Sequence, residues 1–182
     1  MLTIYVFGHP ILRKKTNEVS ENEPNLQEFV DDMFETMYHA EGVGLAAPQV
    51  GRSVRLFVID THAFKESYPN VEELKEVFIN PKVEEILGDD FNFNEGCLSL
   101  PEIREDVVRK SEVILTYTNK EGKRKTTHFK GLVARVILHE LDHLEGHVFT
   151  DHVSSIRKMI VKKKLNDIAS GKTKPKYKSK HN

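Results

Sequence analysis

Residues His139-Glu140-Leu141-Asp142-His143 carry two imidazoles four positions apart, the H-E-x-x-H spacing that sets both on one face of a helix, where they can grip a single metal ion. A bound divalent ion makes its water acidic enough to lose a proton near neutral pH, and Glu140, beside the first His, is placed to take it. The chemistry implied is that of a metallohydrolase. The plain alternative is an exposed helix with solvated side chains. Against it, Leu132, Val133, Val136, Ile137, Leu141 and Leu144 recur at helical spacing, predicting a buried helix from about Leu132 to Glu145, stopped by Gly146 in a left-handed cap. Histidines on a buried helix need polar partners.

An open catalytic site of this type takes three protein ligands and one water. Metalloproteases that extend the motif to H-E-x-x-H-x-x-G-x-x-H use a third His, but Phe149 stands at that position here. Those that draw a Glu from a following helix find none, because Glu145 is the last Glu in the chain. Downstream remain His147, Asp151 and His152, which read as surface residues past the helix end; upstream remains the single cysteine, Cys97. A lone Cys is often a small buried hydrophobe. Its thiolate is also a strong ligand for a first-row divalent metal. The neighbours favour the ligand: Gly96 and Pro101 bracket a short irregular segment, and the N–H of Leu98, just after Cys97, is suited to donate to a substrate oxygen.

A third segment, Glu41-Gly42-Val43-Gly44-Leu45-Ala46-Ala47-Pro48-Gln49-Val50-Gly51, follows an amphipathic helix marked by Pro24, Leu26, Phe29, Val30, Met33 and Met37. Gly42 or Gly44 could simply end that helix. So many small residues together also let the chain lie flat against another backbone, and Gln49 offers an uncharged amide donor suited to a developing oxyanion.

These three segments together resemble the peptide deformylases, which remove the N-terminal formyl group from newly made bacterial proteins. The residues that carry the resemblance are Gly42-Val43-Gly44-Leu45-Ala46-Ala47-Pro48-Gln49, Glu95-Gly96-Cys97-Leu98-Ser99 and His139-Glu140-Leu141-Asp142-His143, in the family's order, with Gly8-His9-Pro10-Ile11-Leu12-Arg13 similar to its opening. The likeness spans about residues 4 to 152, and Leu138 stands where many members have Gln. It implies that Cys97, His139 and His143 hold the metal, that Glu140 is the general base, and that Gln49 and the Leu98 N–H stabilise the oxyanion. A Cys-His-His set suits Fe(II), Zn, Ni or Co by geometry, and the resemblance implies Fe(II) in the cell. By the same mapping Val43 and Gly44 pair with the substrate backbone as an added strand, Gly96 leaves room for it, Arg104 meets its carbonyls, and Leu132, Val136 and Phe93 wall the methionine pocket. Arg135 either lines that pocket with its stem or is a surface charge.

The elements that must position these residues read as an α+β domain: mainly antiparallel sheet around a central metal-binding helix, with an N-terminal and a C-terminal helix. Strand-like stretches are Val54–Ile59, Val77–Asn80, Lys82–Leu87, Val107–Thr118 and Lys123–Phe129, the last two joined by a turn at Asn119–Gly122. Residues 61–76 form a polar insertion without an assigned role. The chain of 182 residues with formal net charge −1 can bury one sizeable core, read as a single catalytic domain over residues 1–170. One Cys excludes an internal disulfide and suits a reducing compartment. Met1–Phe7 is too short and too poor in preceding basic residues for a signal peptide or a membrane span, and no Arg- and Ser-rich leader is visible, so the expectation is a bacterial cytoplasm without membrane or DNA partners.

From Ser154 to Ala169 the pattern predicts a final helix carrying Lys162-Lys163-Lys164. Residues 171–182, with five Lys and no acidic residue, read as a basic, disordered tail. Because the resembled family acts on chains leaving the ribosome, its N-formylmethionyl nascent peptides are the expected substrate, and contact of this helix and tail with ribosomal RNA is a further expectation. A general metallopeptidase and a non-catalytic ribosome-bound module are the competing classes.

Overall fold

Strand β3 (Leu56–Asp60) shows in five residues how the interior is arranged. The computed structural model describes residues 1–20 and 22–181, and within it every residue from Leu56 to Ile59 is buried. Side chains of a strand alternate between faces. Leu56 and Val58 therefore point into one apolar cluster and Phe57 and Ile59 into another. The neighbouring strand β4 (Lys75–Cys97) repeats the rule, with Val77 and Ile79 in the first cluster and Phe78 in the second. A sheet apolar on both faces has to be covered on both.

Helix α1 (Leu26–His39) covers one face. Its Phe29, Val30, Met33, Phe34 and Met37 are buried against Leu45, Leu56, Val58 and Val77. It ends at Ala40, and Glu41 follows in the left-handed region at φ 58°, so neither Gly42 nor Gly44 is the stop. Helix α2 (Gly131–Leu144) covers the other face with Val133, Ala134, Val136, Ile137, Leu141 and Leu144. Gly146 follows at φ 81°, and a Cβ there would lie 2.8 Å from the backbone of Arg13, so the chain stops where the sequence predicts.

The sheet is antiparallel throughout, in the order β2 (Gly44–Ala46), β3, β4, β5 (Leu100–Thr118), β6 (Arg124–Lys130). Two strand-like stretches of sequence, Val77–Asn80 and Lys82–Leu87, merge into the single strand β4, which bends through register shifts at Ile79/Lys82, Val83/Glu85 and Leu87/Asp90 instead of breaking. Its end turns into β5 through a two-residue tip, Leu98-Ser99, because Cys97 pairs with Leu100. Helix α3 (Ser155–Ala169) is capped by the Ser154 hydroxyl, which accepts from the Arg157 N–H, and buries only Val161 and Ile168.

The tail departs from the expected disorder. Strand β1 (Ile4–Tyr5) and strand β7 (Ser179–Lys180) run parallel, with Ile4 N–H donating to Lys178 O at 2.9 Å and Val6 N–H to Lys180 O at 3.1 Å. His181 bonds back to the carbonyl of Ile168 at 2.8 Å. The physical signal is period two: Lys occupies every second position from 172 to 180, all exposed, while Thr173, Pro175, Tyr177 and Ser179 between them are half-buried.

Candidate active site

Three ligand-bearing side chains converge from two elements. The hairpin tip carries Cys97 at the end of β4, and α2 brings His139 and His143 one turn apart. One ligand atom from each lies within 4.8 Å of the others, with Cys97 Sγ 3.3 Å from His143 Nε2. Burial pushes the Cys97 thiol up, yet the two imidazoles outweigh it and hold it down at about 5, so the thiolate needed by a metal is already favoured. His147 and Asp151 lie outside this group, and Asp151 is tied to Arg13 instead. Phe149, at the position of the absent third His, stacks on the His139 ring at 6.0 Å.

His139 is oriented from behind. Its Nδ1–H donates to Glu95 Oε2 at 2.8 Å, leaving Nε2 for the ligand position. Glu95 is buried and also accepts from Arg109 Nε and Nη2 (2.7 and 3.0 Å) and from Arg135 Nη1 (2.8 Å). Arg109 reaches on to Asp142 at 2.7 Å, and Asp142 to His152 at 2.7 Å. Burial pushes the Glu95 carboxyl up, but His139 and Arg109 hold it well below the usual carboxylate range. Arg135 is therefore not a surface charge: it is 2% exposed and donates also to the carbonyls of Val107 and Phe91. His152 is exposed past the helix end, as expected, and also bonds to Asp142 at the outer end of this network.

Glu140 is the opposite case. Its Oε2 is buried without a hydrogen-bond partner among the described residues, and burial pushes its carboxyl up to about 7, the two imidazoles pulling it back. Gly44 is what allows it there, since a Cβ on Gly44 would stand 2.4 Å from Glu140 Oε1 and 3.0 Å from Val136 Cγ1. Gln49 is buried and fixed by three contacts: its Oε1 accepts from Ala46 N–H at 2.8 Å, and its Nε2 donates to Ser99 Oγ at 3.1 Å and to Cys97 Sγ at 3.5 Å. The amide proton aimed at the sulfur is the one a ligand atom beside Cys97 could take.

A thiolate, two imidazoles presenting Nε2 and an unpartnered carboxylate oxygen fit one divalent ion with a water beside Glu140. The group opens into a cleft of about 730 Å³ lined by Val43, Gly44, Gln49, Phe93, Gly96, Leu98, Arg104 and Val136 among others. Leu132 does not line it. It shares the face of His139, but seven residues earlier on a helix is about 10 Å along the axis. Gly96 leaves room for Arg104 and not directly for a ligand, since a Cβ there would meet Arg104 Nη1 at 2.8 Å; the guanidinium is held by Asn94 through its side chain at 3.0 Å and its carbonyl at 2.7 Å. Phe93 meets Phe64 edge to face and Tyr68 at a tilt, so the polar insertion supplies one wall. Lys174, Pro175, Lys176 and Tyr177 of the tail form another part of the rim. Glu95, Arg109 and Tyr177 received no role from the sequence. Glu95 does stand inside the cysteine motif, whereas Arg109 opens the polar run Arg109-Lys110-Ser111-Glu112 and carries no such signal.

Fold and site fit a metal-dependent hydrolase of the H-E-x-x-H type, with Cys97 upstream of the motif beside His139 and His143 in a group that could hold a metal ion. The profile of the polypeptide deformylase family matches residues 1–159. The peptide deformylase of Flavobacterium johnsoniae is 48% identical over 187 residues, spanning 99% of this chain and 95% of the relative. A plant peptide deformylase crystal structure superposes with a TM-score of 0.83 at 34% identity, covering 94% of this chain and 90% of that one. The peptide deformylase of Synechococcus elongatus, solved in complex with actinonin, gives 0.77 at 37% identity, with 94% and 87% covered. The chain belongs to the polypeptide deformylase family, metal-dependent hydrolases that remove the formyl group from N-terminal formylmethionine of newly synthesised proteins, releasing formate.

Proposed function

We propose that Cys97, His139 and His143 hold one divalent ion, Fe(II) in the cell, and that Glu140 is the general base of formyl hydrolysis. One observation carries this reading: the unpartnered, buried Glu140 Oε2 beside three converging ligand side chains. The ion, when bound, supplies a Lewis acid that polarises the formyl oxygen and acidifies water. Glu140 accepts a proton from the water that adds to the formyl carbon and returns it to the amine nitrogen as the C–N bond breaks, giving formate and a free methionyl amine. Gln49 Nε2 and the Leu98 N–H donate to the oxygen that gains charge in that step. Glu95 keeps the His139 ring turned, and burial at the base of the cleft limits competing water.

The substrate backbone extends along Val43 and Gly44, a reading supported by β2 being at the edge of the five-stranded sheet, paired among the described residues with β3 alone. Val136 and Phe93 flank the methionine side chain, and Arg104 stands at the outer rim. The reacting groups all lie within residues 1–170, and the tail closes one side of the cleft with Lys174, Pro175, Lys176 and Tyr177. A bacterial cytoplasm suits a thiolate ligand, and no helix among the described residues is long and apolar enough to cross a membrane. Contact with the ribosome through α3 is supported by its exposed Ile156, Met159 and Ile160 beside Lys158, Lys162 and Lys163. Removing residues 171–182 is expected to weaken co-sedimentation with ribosomes at low salt; unchanged co-sedimentation excludes the tail from that contact.

The test of the main reading is formate release from a formyl-methionyl peptide by anaerobically Fe(II)-loaded protein beside Glu140→Gln of equal metal content. Robust release that collapses in the variant is the expected result. Absence of release from the loaded wild type overturns it, and cleavage of internal bonds in unformylated peptides turns it into a peptidase.

A further inference from the structure

The hairpin tip Leu98-Ser99 is held from three distant parts of the chain. Gln49 Nε2 donates to Ser99 Oγ at 3.1 Å, Phe7 N–H donates to Ser99 O at 2.8 Å, and the Tyr177 hydroxyl donates to Leu98 O at 2.6 Å. The last two belong together, because the parallel pairing of β1 with β7 brings the N-terminal segment and the tail to the tip as one unit. Tyr177 is half-buried, its ring packs on the cluster beneath α1, and burial followed by the Cys97 charge pushes its phenol up, so it stays a donor.

We propose that Tyr177 is a positioning residue for deformylation: by holding the carbonyl of Leu98 it fixes the backbone that aims the Leu98 N–H at the reacting oxygen. The inference rests on the reading of Leu98 as an oxyanion donor. Side-chain packing of Leu98 leaves its peptide plane to be set by the bond from Tyr177, and donors of this kind act only when set within a fraction of an ångström of where charge develops. Without the hydroxyl, Leu98 O loses its hydrogen-bond partner, and the tip keeps only the two bonds to Ser99 and the packing of the Leu98 side chain on the cluster beneath α1. The tail thus takes part in catalysis at a distance through a single hydrogen bond.

The experiment compares wild type, Tyr177→Phe and a chain ending at Ser170, at equal metal content. It measures kcat and KM on a formyl-methionyl peptide and amide hydrogen exchange of Leu98 and Ser99 in the Zn-loaded protein. The expected result for Tyr177→Phe is a fall in kcat of about 3- to 10-fold at unchanged KM, the range set by one neutral hydrogen bond, with faster exchange at both amides. The shortened chain falls at least as far, which keeps the test decisive should Tyr177→Phe fold poorly. Wild-type kcat in either folded variant overturns the proposal, as does a raised KM with kcat retained, which would make Tyr177 a substrate contact. Should the loaded wild type release no formate, the functional reading fails by itself, and unaltered amide exchange in Tyr177→Phe would still refute the hold on Leu98.

Discussion

Two buried glutamates sit on either side of His139, and they live in opposite electrostatic worlds. Glu95, from the end of β4, accepts from two guanidinium groups and the His139 imidazole and is held ionised well below the usual range. Glu140, next in sequence to His139, has an oxygen with no partner and is pushed up to about 7, burial being the leading cause. Equal burial, opposite shift: what differs is the count of donors that the fold aims at each carboxylate. A fully satisfied charge orients its neighbour and does nothing else, whereas an unsatisfied one keeps a lone pair free for a proton. Environments that drive two carboxyls apart in this way separate a structural role from a chemical one.

The contrast breaks most sharply at Glu140. Glu140→Gln should lower kcat by about two to four orders of magnitude, the range for a positioned base, while metal content and melting temperature stay at wild-type values. A comparable loss of stability would mean that Glu140 holds the fold and that the contrast is wrong. Glu95→Ala should do the reverse. Leaving Arg109 and Arg135 buried without their counter-charge costs about 3–5 kcal/mol, read by denaturant unfolding, and loss of the brace on His139 weakens metal affinity by about 10- to 100-fold. Full stability with normal metal retention in that variant would remove Glu95 from its supporting role.

Gly44→Ala sharpens the comparison from the cleft side. Its Cβ would stand 2.4 Å from Glu140 Oε1 and 2.9 Å from its Cδ, so the carboxylate must swing away. Displacement of a catalytic group by an ångström costs up to about 100-fold, and a kcat loss of that order with metal content unchanged is expected. Wild-type turnover would show that Glu140 does not depend on its place beside Gly44.

How much of this was readable beforehand follows from the range of the forces involved. The metal helix, its Gly146 stop and α1 declare themselves through local periodicity, and His139, His143 and Cys97 through spacing and residue type. The brace behind His139 does not, because Glu95, Arg109, Arg135 and Asp142 are brought together only by strand register and helix docking. Arg135 read as pocket stem or surface charge because one helix turn cannot reveal a carboxylate 40 positions earlier. The strand-like stretch Lys82–Leu87 runs on past Leu87 through a bulge with Gly88 at φ 81°, which local patterning does not mark. The tail misled through charge. Its lysines signalled a solvated chain, while their strict alternation marked the wet side of a strand whose other side carries Tyr177.

The smallest expected effect serves as the control for the two glutamates. Asp151 is also a paired carboxylate, accepting from Arg13 at 2.5 and 3.2 Å, but its side chain is 31% exposed. Burial pushes its carboxyl up while Arg13 and the Val148 N–H bring it below the ordinary value. A carboxylate lowered on folding contributes stability that is complete above its unfolded value, about 4, and fades as pH falls through the lower folded one. Solvent screens the pair, so Asp151→Asn should cost no more than about 1 kcal/mol at neutral pH. That difference should shrink toward zero in acid, and kcat should not move, since Asp151 touches neither the ligands nor the cleft wall. A loss as large as that of Glu95→Ala would mean that pairing alone, and not burial with pairing, sets the value of these carboxylates.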